Sequence, residues 1–414
     1  MKTIIYVILV SALFFGCDGN GTSPVDHDYL ELRPLTAREQ SLVDSNQQFG
    51  LNLLQAISTV DSTGNIFISP LSVSMALGMT MNGASGQTYT DMQSTLELVN
   101  LSESDINQAY KSIMDLLMSI DPDVITEIAN SIWIKEDFPV EAAFIDTNEF
   151  YFDAWIAERN FADPITLDEI NSWVADNTND KITEILDRIP AEAVMYLINA
   201  IYFKAIWEFE FNKNNTHQTD FFITPDNITS VDIMGLTADL NYYANDQVQV
   251  VDLPYGRGNY TMTVFLPKPD KNLTEFVAVL NCQQLEHYLG NLQYKSGTVF
   301  LPKLKTNYKL LMNDVLKQMG MEIAFTRLAD FSRINPEDTL LISRVIHEAF
   351  VQIDEEGTEA AATTVVEIIR LTESTGPSLD FVMEINRPYL FLIRELESGT
   401  VLFMGKIHEP VWED

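Results

Sequence analysis

The sequence predicts an α+β fold in one large unit, and three observations carry this. Apolar residues recur at helical spacing in the first part of the chain. Long β-branched and aromatic runs with strand character fill the second part. No internal stretch has the composition of a linker. With 414 residues and 46% hydrophobic content, the chain is long for one core but within reach of a single α+β unit spanning 35–414.

The N-terminus reads MKTIIYVILVSALFFGCDGN: Lys2, a largely apolar run from Ile4 to Phe15, then Gly16-Cys17 and abruptly polar residues. The run is too short to span a bilayer and has the layout of an export signal over residues 1–16. Phe14 sits where an ordinary cleavage site wants a small residue. A small residue followed by cysteine instead resembles a bacterial lipobox. Cys17 would then be the lipidated first residue, and residues 17–34 a polar tether to the cell envelope. The alternative is an ordinary signal peptide with an incidental cysteine. The only other cysteine, Cys282, has no catalytic-cysteine context and reads as structural.

Within the core, Phe49, Leu53, Leu54 and Ile57 place a helix over 42–57. NIFISP (65–70) is a short buried strand stopped by proline. LSVSMALGMTMNGAS follows as a helix buried on most sides, ending near Gly83. TEIANSIWIKE alternates as a strand, and INSWVADNTNDKITEIL starts as a helix and breaks at its Asn/Asp cluster. VMYLINAIYFKAIWEFEF is too long and aromatic for a surface helix and predicts a long central strand. QVQVVDLPYG and YTMTVFLPK form a hairpin around Gly256-Arg257-Gly258. TVFLPKLK is a strand, LLMNDVLKQMGM an amphipathic helix and SRVIHEAFVQIDEEG a further strand. YLFLIREL and VLFMGKIHEP close the chain as a hairpin.

Net charge is −35, from 60 acidic and 25 basic residues, which argues against a nucleic-acid partner. Signatures of catalysis are missing from the sequence: no His-Glu-x-x-His, no Cys-x-x-Cys, no phosphate-cradling glycine loop. The histidines His27, His217, His287, His347 and His408 are scattered, none at metal-ligand spacing to another. The expectation is therefore no metal, no cofactor and no catalytic residue. Ser69, Ser72 and Ser74 lack the Gly-x-Ser-x-Gly elbow that would expose a nucleophile. A hydrolase using Ser69 or Ser72 with His347 is one alternative; a buried histidine satisfied by nearby hydroxyls is the plainer one.

The stretch EEGTEAAATTVVEIIRL (355–371) passes from a helix breaker through alanines to a β-branched run. Read as a strand, one face carries Thr358, Ala360, Ala362, Thr364, Val366 and Ile368, without charge and small at its front. The other face holds Glu359 and Glu367. A polar, turn-rich tail follows. Such a segment suits exposure as a loop and later burial as a strand.

That pattern resembles the proximal hinge of the serpins, inhibitors that insert a reactive loop into a β-sheet. NIFISPLSVSMALGMTMNGA, INSWVADNTNDKI, INAIYFKAIWEFEF, VDLPYG, LPKLKTNYKLLMNDVLKQMG, INRPYLFLIRE and VLFMGKI fall in the family's order and spacing, with Tyr389 where Phe is usual. The resemblance implies about nine helices around three β-sheets, with an exposed reactive-centre loop over about 355–380. It implies a hinge of Glu355, Gly357, Thr358, Glu359, Ala360, Ala361, Ala362 and Thr363. It also implies a sheet-opening cluster of Asn65, Ser69, Ser72, Asn199 and His347, with Trp207 near the top of the sheet. The implied activity is suicide inhibition, by a monomer, of serine and also cysteine endopeptidases. The reactive bond would be Leu371–Thr372, suiting chymotrypsin-, elastase- or subtilisin-like targets. A frame one residue shorter would use Arg370 and suit trypsin-like ones. The alternative is a non-inhibitory binding or storage protein that is cleaved as a plain substrate.

Overall fold

Caps written in the sequence start most of the helices. The computed structural model describes residues 33–358 and 379–413, so Cys17, residues 359–378 and the Leu371–Thr372 bond lie outside the described residues. Nine α-helices occur among the described residues: α1 Ala37–Val60, α2 Pro70–Met81, α3 Gly86–Thr95, α4 Glu103–Leu117, α5 Ala142–Phe152, α6 Pro164–Asp176, α7 Leu273–Val279, α8 Cys282–Gly290 and α9 Asn313–Leu316. Thr36 and Glu39 close a capping box on α1, and Arg33 grips the Glu39 carboxylate at 2.5 Å. Ser69 caps α2, with Pro70 in the first turn. That helix is apolar nearly all round because it packs against sheet strands on more than one side. The break after α6 falls at Asn179 and Asp180, both at positive φ.

The strands are β1 Ile66–Ile68, β2 Val124–Lys135, β3 Ala154–Arg159, β4 Met195–Ile206, β5 His217–Thr224, β6 Asn227–Ala244, β7 Val248–Tyr255, β8 Tyr260–Pro267, β9 Gln293–Pro302, β10 Leu304–Leu311, β11 Ile346–Ile353, β12 Gly357–Thr358, β13 Phe381–Glu384, β14 Tyr389–Glu395 and β15 Val401–Ile407. Six form one sheet in the order β10-β11-β12-β4-β2-β3. The rest run β1-β15-β14-β8-β7-β6-β9-β13, with β5 on β6. The three expected sheets are thus joined into two hydrogen-bonded networks. The 18-residue β6 pairs with β5 and β9 over most of its length and with β7 only at Tyr242–Ala244, so one strand links two groups.

Two elements depart from the sequence reading: TVFLPKLK, read as one strand, is divided at Lys303 between β9 and β10, and the helix read over LLMNDVLKQMGM is cut short. Leu310 and Leu311 end strand β10, paired to His347 and Ile346, and the helix that follows is only Asn313–Leu316. Gly320, at φ 121°, then breaks the helical path. Cross-strand pairing with β11 outweighs the helical spacing of those leucines.

The main core lies between the two networks and the helices. A second, smaller core holds α6 against the six-stranded sheet through Trp133, Ile170, Val174, Ile182 and Ile198. Helix α6 therefore lies across strands β2 and β4, and β4 is a direct neighbour of the short strand β12.

Candidate functional site

The six-stranded sheet is the site, and its short third strand explains why. Gly357 and Thr358 are wedged between β11 and β4: Thr358 lies opposite Ile353 on one side and Ala205 on the other, and Gly357 lies opposite Ile206. A β-carbon on Gly357 would fall 2.0 Å from the Ala205 carbonyl oxygen and 2.7 Å from the Ile206 α-carbon. Both are backbone atoms held in the sheet, so only glycine fits. Thr358 is 3% exposed and its hydroxyl meets the Tyr255 hydroxyl at 2.5 Å. Two residues of the expected hinge are therefore docked as strand. Glu359, Ala360, Ala361, Ala362 and Thr363 lie outside the described residues.

The turn leading into that wedge is tied down on every side. Trp207 N–H donates to Glu356 O (2.9 Å), Phe211 N–H to Glu355 O (3.0 Å) and the Trp207 indole N–H to Asp354 O (2.8 Å). The indole stacks on Tyr255 at 4.4 Å and 12°. Glu355, 5% exposed, accepts from Lys303 Nζ (2.8 Å) and Thr216 Oγ1 (2.7 Å), and Lys213 pairs with Glu356. Burial pushes the Glu355 carboxyl up, but the Lys303 and Thr216 bonds outweigh it and hold the group below its ordinary range. Burial alone drives the Tyr255 phenol well above its ordinary value.

Below Thr358 the sheet is differently built. Among the described residues β11 and β4 do not pair directly there, and these residues leave between them a space of about 1030 Å³, lined by 192–201 on one side and 338–348 on the other. Ser72, Asn199 and His347 line it. His347 Nε2 accepts the backbone N–H of Ser69 (3.1 Å), and the Ser69 hydroxyl accepts the N–H of Ser72 (3.2 Å). Both histidine and serines are buried, and burial lowers the imidazole pKa to about 4. The nitrogen a general base would use is thus engaged by an amide, not aimed at a hydroxyl. Asn199 donates to Asn130 Oδ1 (2.9 Å), while its own buried Oδ1 has no hydrogen-bond partner among the described residues.

Not every residue of the expected cluster meets here. Ser69, Ser72, Asn199 and His347 surround the middle of the sheet, and Trp207 stands at its top. Asn65 is elsewhere: its side chain accepts from His408 and Glu409 N–H and donates to Glu409 O. Sequence reasoning missed Lys303, Tyr255 and Thr216 as hinge partners. Two of them sit inside quoted motifs, LPKLK and VDLPYG, but nothing local says what they face.

The comparisons agree with this architecture. The family model described as serpin (serine protease inhibitor) matches residues 44–410. Iripin-2 of Ixodes ricinus is 34% identical over 381 residues, covering 90% of this chain and 94% of the relative. The native-state structure of tengpin, a thermophilic serpin, superposes with a TM-score of 0.81 at 31% identity, covering 92% of this chain and 96% of that one. Human thyroxine-binding globulin complexed with thyroxine superposes equally well, with a TM-score of 0.81 at 25% identity, covering 91% and 100%. The motifs, the sheet with its wedged hinge and these matches together make the chain a member of the serpin family.

Proposed function

We propose that this serpin is an inhibitor of the suicide type, directed at serine and also cysteine endopeptidases. Serpins act on target proteases, generally as inhibitors rather than catalysts. The single observation that carries the finer reading is the hinge. A glycine that alone fits, a buried threonine and a following alanine run (Ala360, Ala361, Ala362) leave nothing bulky to obstruct entry between β11 and β4. A protease attacks one loop bond and forms an acyl-enzyme. Cleavage frees the hinge, which continues from Thr358 down the sheet past His347 and Asn199 as a new strand. The inserted strand pairs with β4 and β11, and the transition releases free energy that the uncleaved fold stores. Insertion must outrun deacylation, and spontaneous insertion without cleavage is the slow side reaction of the same design.

The bond attacked is Leu371–Thr372, with Arg370 as the alternative frame. Leu371 favours chymotrypsin-, elastase- or subtilisin-like proteases, Arg370 trypsin-like ones. The net charge of −35 steers basic targets in. Residues 1–16 export the chain and Cys17 anchors it through lipid. Among the described residues no helix is long and apolar enough to cross a membrane.

The test mixes the protein with chymotrypsin, elastase, subtilisin and trypsin, followed by denaturing gels and mass spectrometry of released peptides. A denaturant-stable band at the summed mass supports trapping, and a peptide beginning at Thr372 supports Leu371. Cleavage by every protease without a trapped band defeats inhibition. It would favour a binding or storage role, for which the likeness to thyroxine-binding globulin is the supporting observation.

A further inference from the structure

The residues beyond β15 do not leave the molecule; they return to the sheet that receives the hinge. Asn65 holds their start, accepting from His408 N–H (2.8 Å) and Glu409 N–H (3.0 Å) and donating to Glu409 O (2.7 Å). Val411–Glu413 then lie along the outer edge of β10. Lys305 N–H donates to Val411 O (2.8 Å), Glu413 N–H donates to Lys305 O (3.0 Å), and Lys305 and Trp412 form a parallel bridge. The Glu413 carboxylate accepts from Asn307 N–H (3.1 Å). This register lays the Trp412 ring beside two ammonium groups, Lys303 at 4.8 Å and Lys305 at 6.0 Å from its centroid.

Lys303 is the cation that neutralises Glu355 at the root of the hinge, at 2.8 Å. In a chain with 60 acidic and 25 basic residues, a loose lysine has many carboxylates within reach. An aromatic face on one side and a buried carboxylate on the other hold its flexible stem in one place. We propose that residues 408–413 are a latch on the hinge. Trp412 is its positioning residue: it keeps Lys303 on Glu355 and so sets how readily Thr358 is followed into the sheet. The proposal deepens the inhibitory reading above and rests on it for its consequence. The contact itself stands apart from that reading.

Mere protection of an exposed sheet edge would be a different role. The latch predicts that Trp412 acts through Glu355, which it does not touch, whereas edge cover predicts a general loss of stability. The test uses the full chain and four variants: Trp412→Ala, Trp412→Phe, Glu355→Gln and the Trp412→Ala/Glu355→Gln double variant. Two quantities are read. One is the rate at which warmed protein gains the urea resistance of a loop-inserted form; the other is hydrogen exchange at the amides of 351–358. Trp412→Ala should speed both by roughly two- to five-fold, the worth of one half-exposed cation–π contact. Trp412→Phe should restore most of the wild-type rate, and the double variant should be no faster than Glu355→Gln alone. Multiplying effects in the double variant, or a lower urea midpoint with unchanged exchange at 351–358, would overturn the latch. If wild type neither traps protease nor converts on warming, the inhibitory reading fails by itself. The exchange rates then decide the latch alone: faster in Trp412→Ala supports it, unchanged sinks it.

Discussion

The top and the middle of the six-stranded sheet are built on opposite principles. At the top, around Glu355, Trp207 and Thr358, hydrogen bonds, an ion pair and stacked rings hold every group, and a glycine is locked against backbone. In the middle, among the described residues, His347 is buried without counter-charge, Asn199 keeps an unpartnered oxygen, and a space of about 1030 Å³ parts two strands. Under the proposed inhibitory mechanism the sheet opens, and that needs both: a tight gate that resists the first step and a loosely satisfied interior that rewards the later ones. Local stability should differ across one sheet because its top and its middle are satisfied to different degrees.

The largest effect should come from blocking the gate. Thr358→Arg would place a cation where the residue is 3% exposed, at a cost of about 3 kcal/mol or more. Insertion should slow by about two orders of magnitude. Titration against a susceptible protease would show the loop cut and the protease released; undiminished trapping would remove Thr358 from the insertion path. Next, Lys303→Met leaves Glu355 with Thr216 as its remaining hydrogen-bonding side chain and should cost about 2–3 kcal/mol in urea unfolding. A loss below about 0.5 kcal/mol would mean the top is no tighter than the middle.

Acid should separate the two regions. His347 has its pKa lowered from 6.5 to about 4, so the unfolded chain binds a proton that the folded one refuses. Stability should fall by about 1.4 kcal/mol per pH unit as pH drops from 6.5 toward 4. His347→Gln should flatten that slope. Glu355 works lower: its carboxyl is held below 4.5, so its contribution is present above that value and fades as pH falls beneath it. A slope unchanged in His347→Gln would place the acid sensitivity elsewhere. The smallest effect is expected at Asn199→Ala. It loses one bond to Asn130 but also an unsatisfied buried oxygen, so the net change should stay under about 1 kcal/mol by thermal unfolding.

Much of the fold was legible in the sequence. Helical spacing located α1, the stretch between Pro70 and Gly83 gave α2, the Asn/Asp cluster stopped α6, and the aromatic run gave β4 its length and central place. Composition marked the segment from Gly357 onward as unlike a linker, and the resemblance to the serpins supplied its expected role as a hinge. The short helix α9 was misread because Leu310 and Leu311 have helical spacing yet are claimed by β11. Asn65 was grouped with His347 although its partners are His408 and Glu409. An asparagine's side chain names no partner, and a strand of three residues can present it to either end of the sheet.

What the sequence determined by itself is what depends on neighbours: periods of burial, caps, breaks, and a run of side chains small enough to slide between strands. What only the tertiary structure decided is what those segments meet. Lys303 and Glu355 are 52 positions apart, Tyr255 and Thr358 are 103 apart, and Asn65 and Glu409 are 344 apart. Each meeting depends on strand register, where a slip of one residue turns a side chain to the opposite face. The gate at Gly357 is the clearest case. The glycine is written in the chain, but the Ala205 carbonyl that makes it necessary arrives only when β4 is paired.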